Sequence, residues 1–185
     1  MRIDMTPHSL LFGFTLFLSA AAYAGEAAPA GAPPHTSATL PKDFKQEKRA
    51  LTPGEQRAVA RLNAASVGLV QRYVPGVREE AITARTLDRA YAAWLKDARA
   101  DKPDADKVVP AFGVRMGTLA IASCKGGHWL HVKDNYGEAV AVAFGDTGRQ
   151  VYPLDSVNKR YSRGEEGFFA DLDALYQQAC NDTLK

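Results

Sequence analysis

The chain has 185 residues, 46% hydrophobic and 24% charged, with 23 basic against 21 acidic side chains and a formal charge of +2. This is the composition of one ordinary globular domain, and it excludes a collagen-like, wholly disordered or disulfide-dense scaffold. So even a charge balance also argues against a nucleic-acid partner, which needs a basic footprint.

The N-terminus reads as an export signal. Arg2 supplies a positive charge beside Asp4, and Leu10 to Ala22 form an apolar run rich in Leu and Phe. Ala22-Tyr23-Ala24 follows, with small residues where signal peptidase requires them. A spanning helix needs about 20 apolar residues, so this run is too short to remain in a bilayer. Cleavage is expected after Ala24, with no Cys behind it to carry a lipid anchor. It removes one base and one acid and leaves the net charge unchanged. The mature chain is expected in the periplasm or secreted, with no membrane span. Gly25 to about Leu40 is rich in Ala and Pro, cannot bury enough surface to offset its ordering entropy, and reads as a tether. With the charged Lys42 to Arg49 it makes a linker over 25–49, leaving a single domain over 50–185.

Thr52-Pro53-Gly54-Glu55 predicts a helix start, with Thr as N-cap, Pro at the first helical position and Glu three residues after the cap. Val59, Leu62, Leu69 and Tyr73 follow at helical spacing up to Pro75-Gly76. A second helix is expected from Thr86, carrying Leu87, Tyr91, Trp94 and Leu95. A third runs from about Asp104 to Ser123. Its Gly113 and Gly117 lie one turn apart, and since interior Gly costs roughly 1 kcal/mol, the pair predicts close approach of another element.

The period then changes. His128 to Lys133, Glu138 to Phe144 and Arg149 to Tyr152 read as three short strands joined by turns. A three-residue loop at Asn135-Tyr136-Gly137 would place Leu130 and Val132 on one face with Val140, Val142, Phe144 and Val151. Trp129, His131 and Lys133 would then oppose the Ala139, Ala141 and Ala143 row, with Tyr152 alongside. Pro153 ends the third strand, Leu154 to Tyr161 reads as a connector, and Phe168, Leu172, Leu175, Tyr176 and Ala179 mark a last helix. Three N-terminal helices, a three-stranded antiparallel meander and one C-terminal helix make an α+β fold.

Several of these residues together resemble a bacterial domain family of unknown function. They are Phe112-Gly113, Met116-Gly117, Trp129, Asp134, Tyr136-Gly137, Val151-Tyr152-Pro153, Val157, Lys159-Arg160 and Gly164-Glu165. The pattern is a Leu-Gly helix, a Trp strand, an Asp-x-Tyr-Gly turn and a Val-x-Lys-Arg segment before Gly-Glu, and it covers about 105–170. Here Phe and Met stand where Leu is usual, and the Cys pair is an addition. The resemblance implies one compact α+β domain and carries no activity.

Cys124 and Cys180 are two thiols in a chain read as exported, where oxidation is permitted. Paired, they would staple the third helix to the last and contribute about 4 kcal/mol on the chain-entropy estimate. Two free buried thiols, or a nucleophilic cysteine with His128 or His131 as base, are the other readings. The predicted helix C-terminus at Cys124 disfavours a thiolate. His128-x-x-His131-x-x-Asp134 has a metal-like spacing, but residues three apart on a strand point to opposite faces, and neither a metal nor another cofactor is expected. Lys159, Arg160 and Arg163 with Glu165 and Glu166 could hold an anion and read more simply as a solvated charged face.

The candidate binding residues are Trp129, His131, Lys133, Asp134, Tyr136 and Tyr152. If their face is open, it offers an amphipathic aromatic patch with an imidazole that titrates, unperturbed, at about pH 6.5. The sequence therefore reads as an exported, non-enzymatic interaction or accessory protein of the bacterial envelope, with an envelope protein or small ligand as partner. The alternative is an envelope hydrolase built around His128, His131 and Asp134.

Overall fold

The computed structural model describes residues 45–145 and 149–182. The expected signal peptide, the Ala/Pro-rich tether and most of the Gly145–Gly148 turn lie outside the described residues. The elements are β1 (Gln46–Ala50), α1 (Pro53–Tyr73), a 3₁₀ turn (Glu79–Ala81), α2 (Ala84–Leu95), α3 (Ala105–Ser123), β2 (His128–Asp134), β3 (Gly137–Ala143), β4 (Gln150–Val151), α4 (Pro153–Ser162) and α5 (Phe169–Asn181). The class is α+β, with five α-helices and a four-stranded antiparallel sheet in the order β1-β2-β3-β4. No helix among the described residues is long and apolar enough to cross a membrane.

α1 starts as its sequence dictates. Thr52 Oγ1 accepts the Glu55 N–H at 3.3 Å and Glu55 Oε2 accepts the Thr52 N–H at 2.7 Å, a reciprocal capping box. α2 begins earlier than expected, at Ala84, because Thr83 rather than Thr86 caps it: the Thr86 N–H donates to Thr83 Oγ1 at 3.3 Å. α3 is the central helix, buried without interruption from Ala111 to Gly117. Its Gly pair does admit close neighbours. A Cβ on Gly113 would stand 2.8 Å from the Leu154 Cα, and one on Gly117 would strike the Trp129 ring.

The element count departs from the sequence reading in two places. Residues 46–49, expected as charged linker, form with Ala50 an edge strand paired with β2 from Gln46↔Asp134 to Ala50↔Leu130. The charges that made them look like linker are what an exposed edge strand carries against unwanted pairing. Leu154 to Tyr161, expected as a connector, lies in α4, because Pro153 occupies the first helical turn, where its missing N–H costs nothing.

The sheet register differs by one residue from the expected one. Asp134 pairs with Gly137, Leu130 with Ala141 and Trp129 with Val142, so Asn135-Tyr136 is a two-residue turn. Neither takes a positive φ, and Gly137 takes +137°, a value that side-chain-bearing residues rarely adopt and glycine adopts freely. Directly paired residues share a face. Trp129, His131 and Lys133 therefore lie with Val140, Val142 and Val151 on the side packed by the helices. Leu130 and Val132 join Ala141 and Ala143 in a second, smaller buried cluster on the opposite side, with Tyr152 against it.

The main core is aromatic. Tyr91 meets Trp94, Phe112, Phe168 and Phe169 at centroid distances of 5.3–6.3 Å, within the range of favourable tilted and edge contacts. α5 is placed by a distant cap: both carboxylate oxygens of Asp88 accept backbone N–H groups, from Phe169 at 2.8 Å and Ala170 at 3.1 Å. Leu175, one of the apolar residues that mark α5, is 54% exposed. Cys124 and Cys180 are paired as a disulfide, with Cα atoms 5.9 Å apart.

Candidate functional site

Trp129 sits at the middle of the helix-packed face, partly buried, its ring wedged on the bare backbone of Gly117. The residue also lines a cleft of about 310 Å³ between β1, α1 and α3. Ala50, Leu51, Val59 and Ala60 give it apolar walls, and Gln56, Asn63 and Thr118 give it polar groups. Each polar group already makes one bond. Gln56 Nε2 donates to the Leu51 carbonyl at 3.1 Å and Thr118 Oγ1 to the Val114 carbonyl at 3.0 Å. Asn63 Oδ1 accepts from Arg115 Nη1 at 3.4 Å.

Arg115 is 5% exposed on α3 and also reaches Glu79, through the carbonyl at 2.8 Å and the carboxylate at 3.3 Å. It ties the 3₁₀ turn and α1 to the central helix. Sequence reasoning passed over it, although a lone Arg amid Phe112, Val114 and Met116 is an available signal, since buried charge is retained only when paired.

His131 and Lys133 line a second depression, of about 320 Å³, together with Glu47, Lys48, Arg49 and Glu138. Arg49, His131, Lys133 and Glu138 among these have ionisable partners. Arg49 clasps Glu55 at 2.7 and 2.8 Å, Lys133 meets Glu138 at 3.1 Å, and His131 Nε2 lies 3.4 Å from Glu138 and 3.9 Å from Glu55. The Arg49 guanidinium, helped by the Thr52 N–H and hydroxyl, pulls the Glu55 carboxyl down to about 2. The Lys133 ammonium likewise lowers Glu138. The sequence marks Glu55 as a capping residue but does not announce its pairing with Arg49, because residue 49 reads as linker.

The remaining expected residues are dispersed. Tyr152 lies on the opposite face from Trp129, its hydroxyl accepting from Gln46 at 3.3 Å and from Gln150; the one-residue difference in register moves it there. Asp134 Oδ1 accepts the Tyr136 N–H at 2.8 Å, leaving Tyr136 79% exposed at the hairpin tip. His128 bonds the Gly126 carbonyl through Nδ1 at 3.0 Å. His128 and Asp134 share one face of β2 and His131 the other, so the three do not converge. Among the described residues no group of three or more His, Cys, Asp or Glu is placed to hold a metal ion. Lys159 of α4 and Arg163 just after it make exposed pairs, with Asp155 at 2.8 Å and with Glu165 at 3.6 Å.

A helical layer on one face of an antiparallel meander, with a Trp-lined cleft beside the edge strand, defines the class of protein. Residues 88–172 match the family model described as Domain of unknown function (DUF3806). That span, from α2 into α5, contains the motifs from Phe112-Gly113 to Gly164-Glu165, so the resemblance read from the sequence is to an uncharacterised domain family. A crystal structure from Bacteroides thetaiotaomicron VPI-5482 is similar in fold, with a TM-score of 0.57 and 16% identity over 72% of this chain. This chain covers 47% of that one. No curated protein matches the sequence.

Proposed function

We propose that this is an exported, non-enzymatic binding or accessory protein of the bacterial envelope, and that it binds through the cleft between α1 and Trp129. The observation that carries this reading is the half-buried Trp129 ring, held by Gly117 at the floor of an apolar cleft with polar groups around it. Clefts of this composition, mostly apolar with a few placed polar groups, are the usual form of a small-ligand site. The export half is supported by the apolar run before Ala22-Tyr23-Ala24 and by the Cys124–Cys180 pair, which suits an oxidising compartment.

Two measurements test it. Intact mass of the protein recovered from the periplasm is expected to show a chain starting at Gly25; a retained Met1 overturns export. Binding is read from tryptophan fluorescence, because Trp94 is buried and the difference between the wild type and Trp129→Phe isolates Trp129. Fractionated envelope material is expected to change the Trp129 signal saturably, with the ligand recovered chemically unchanged. No response from any fraction overturns the binding reading, and turnover of the ligand replaces it with the hydrolase.

A further inference from the structure

We infer that the Trp129 cleft takes a neutral saccharide, stacked on the indole and hydrogen-bonded by Asn63, Gln56 and Thr118. The inference rests on the binding reading above and adds the chemical class of the ligand. Among the described residues, no ionisable side chain lines the cleft. A charged ligand would lose hydration there without gaining a counter-charge.

The polar groups are oriented in advance. A guanidinium can only donate, so Asn63 must turn Oδ1 toward Arg115 and leave its NH₂ for the cleft. Arg115 is itself buried and held by Glu79. A backbone carbonyl can only accept, so Gln56 turns Nε2 toward Leu51 and leaves Oε1 as an acceptor. Thr118 spends its proton on the Val114 carbonyl and keeps its lone pairs. The cleft thus presents the Asn63 amide as donor, with Gln56 Oε1 and Thr118 Oγ1 as acceptors, around an aromatic surface.

The complementary ligand carries no net charge, has groups that both donate and accept, and offers one apolar C–H face. A pyranose ring meets all three requirements. An extended peptide would instead seek strand addition, but the nearest open edge is β1, whose Glu47, Lys48 and Arg49 guard it.

The test is a fluorescence titration of the purified protein with chitotriose, maltotriose and a blocked trialanine peptide. A saturable Trp129 response to either trisaccharide is expected. Asn63→Asp keeps the acceptor that Arg115 needs, replaces the NH₂ donor by a second acceptor oxygen, and places its new charge beside the Arg115 guanidinium. It is expected to weaken saccharide binding more than tenfold while the melting temperature is held or raised. An unchanged affinity in Asn63→Asp overturns the assignment of the donor and with it the proposed site. A response to the peptide alone overturns the saccharide class and leaves the cleft as a binding site. Silence with all three probes also overturns the saccharide class, and the envelope-fraction titration then decides the binding reading separately.

Discussion

The Trp129 ring lies on Gly117, with Cζ2 2.6 Å from the position a Cβ at 117 would occupy. The glycine is therefore the seat of the indole, and the two residues act as one unit joining α3 to β2. Gly117→Ala would recover about 1 kcal/mol of helix propensity yet force a rigid ring and a central helix apart. A net loss of about 1–3 kcal/mol is expected, as for overpacked cores, read as a lower urea midpoint at unchanged slope. A variant as stable as the wild type would show that the ring can move aside at no cost.

Trp129→Ala is expected to cost stability as well as binding, because the ring packs against the main core. The loss should fall toward the lower end of about 3–5 kcal/mol, the range for large buried aromatics, since part of the ring is open to the cleft. Thermal denaturation measures it, and no change in melting temperature would place the ring outside the core.

Glu55 predicts an acid limb. Its carboxyl titrates at about 2 when folded, against an ordinary value of 4.5, chiefly through Arg49. A depressed folded value contributes stability above the unfolded value, and that contribution is lost as pH falls. Stability should therefore drop between about pH 4.5 and 2 through this group, and Glu55→Gln should flatten that limb of a denaturation–pH profile. Arg49 is the largest cause of that depression, so Arg49→Gln should flatten the limb too. Profiles parallel to the wild type would remove the pair from the acid response.

The disulfide spans 56 residues of sequence and joins the end of α3 to the end of α5. Replacing both cysteines by Ala should lower stability by up to about 4 kcal/mol on the chain-entropy estimate. Peptide mapping without reductant should recover the linked peptides. Free alkylation of both thiols in native protein would contradict the pairing.

Asp88 holds the first N–H groups of α5 from α2, far away in sequence. Asp88→Ala should cost about 0.5–2 kcal/mol, as for lost N-caps. The α5 amides should then lose hydrogen-exchange protection before those of α3. Equal loss throughout would mean that α5 does not open on its own.

Much of the architecture is written locally. Thr52-Pro53-Gly54-Glu55 carries its own capping box, the Val/Leu and Tyr/Trp spacings mark α1 and α2, and the change from helical to alternating period marks the meander. The glycines of α3 announce a close approach without naming the partner, because a missing Cβ is a property of one residue and its neighbour is not. Cys124 and Cys180 could be paired by count alone.

Register, cap and cleft belong to the tertiary structure. Alternation specifies register only where one face is buried and the other is wet. Here Leu130 and Val132 are buried on one face while Val142 is buried on the other, so a slip by one residue exposes nothing apolar and the pattern cannot choose. Packing chose, by seating Trp129 on Gly117, and so sent Tyr152 to the far side. The strand at 46–50 is equally invisible locally, since its charges suit an edge as well as a linker and only pairing with β2 distinguishes them. The Asn63–Arg115 contact, which orients the cleft, joins residues 52 positions apart. No periodicity connects them; the packing of α1 on α3 does.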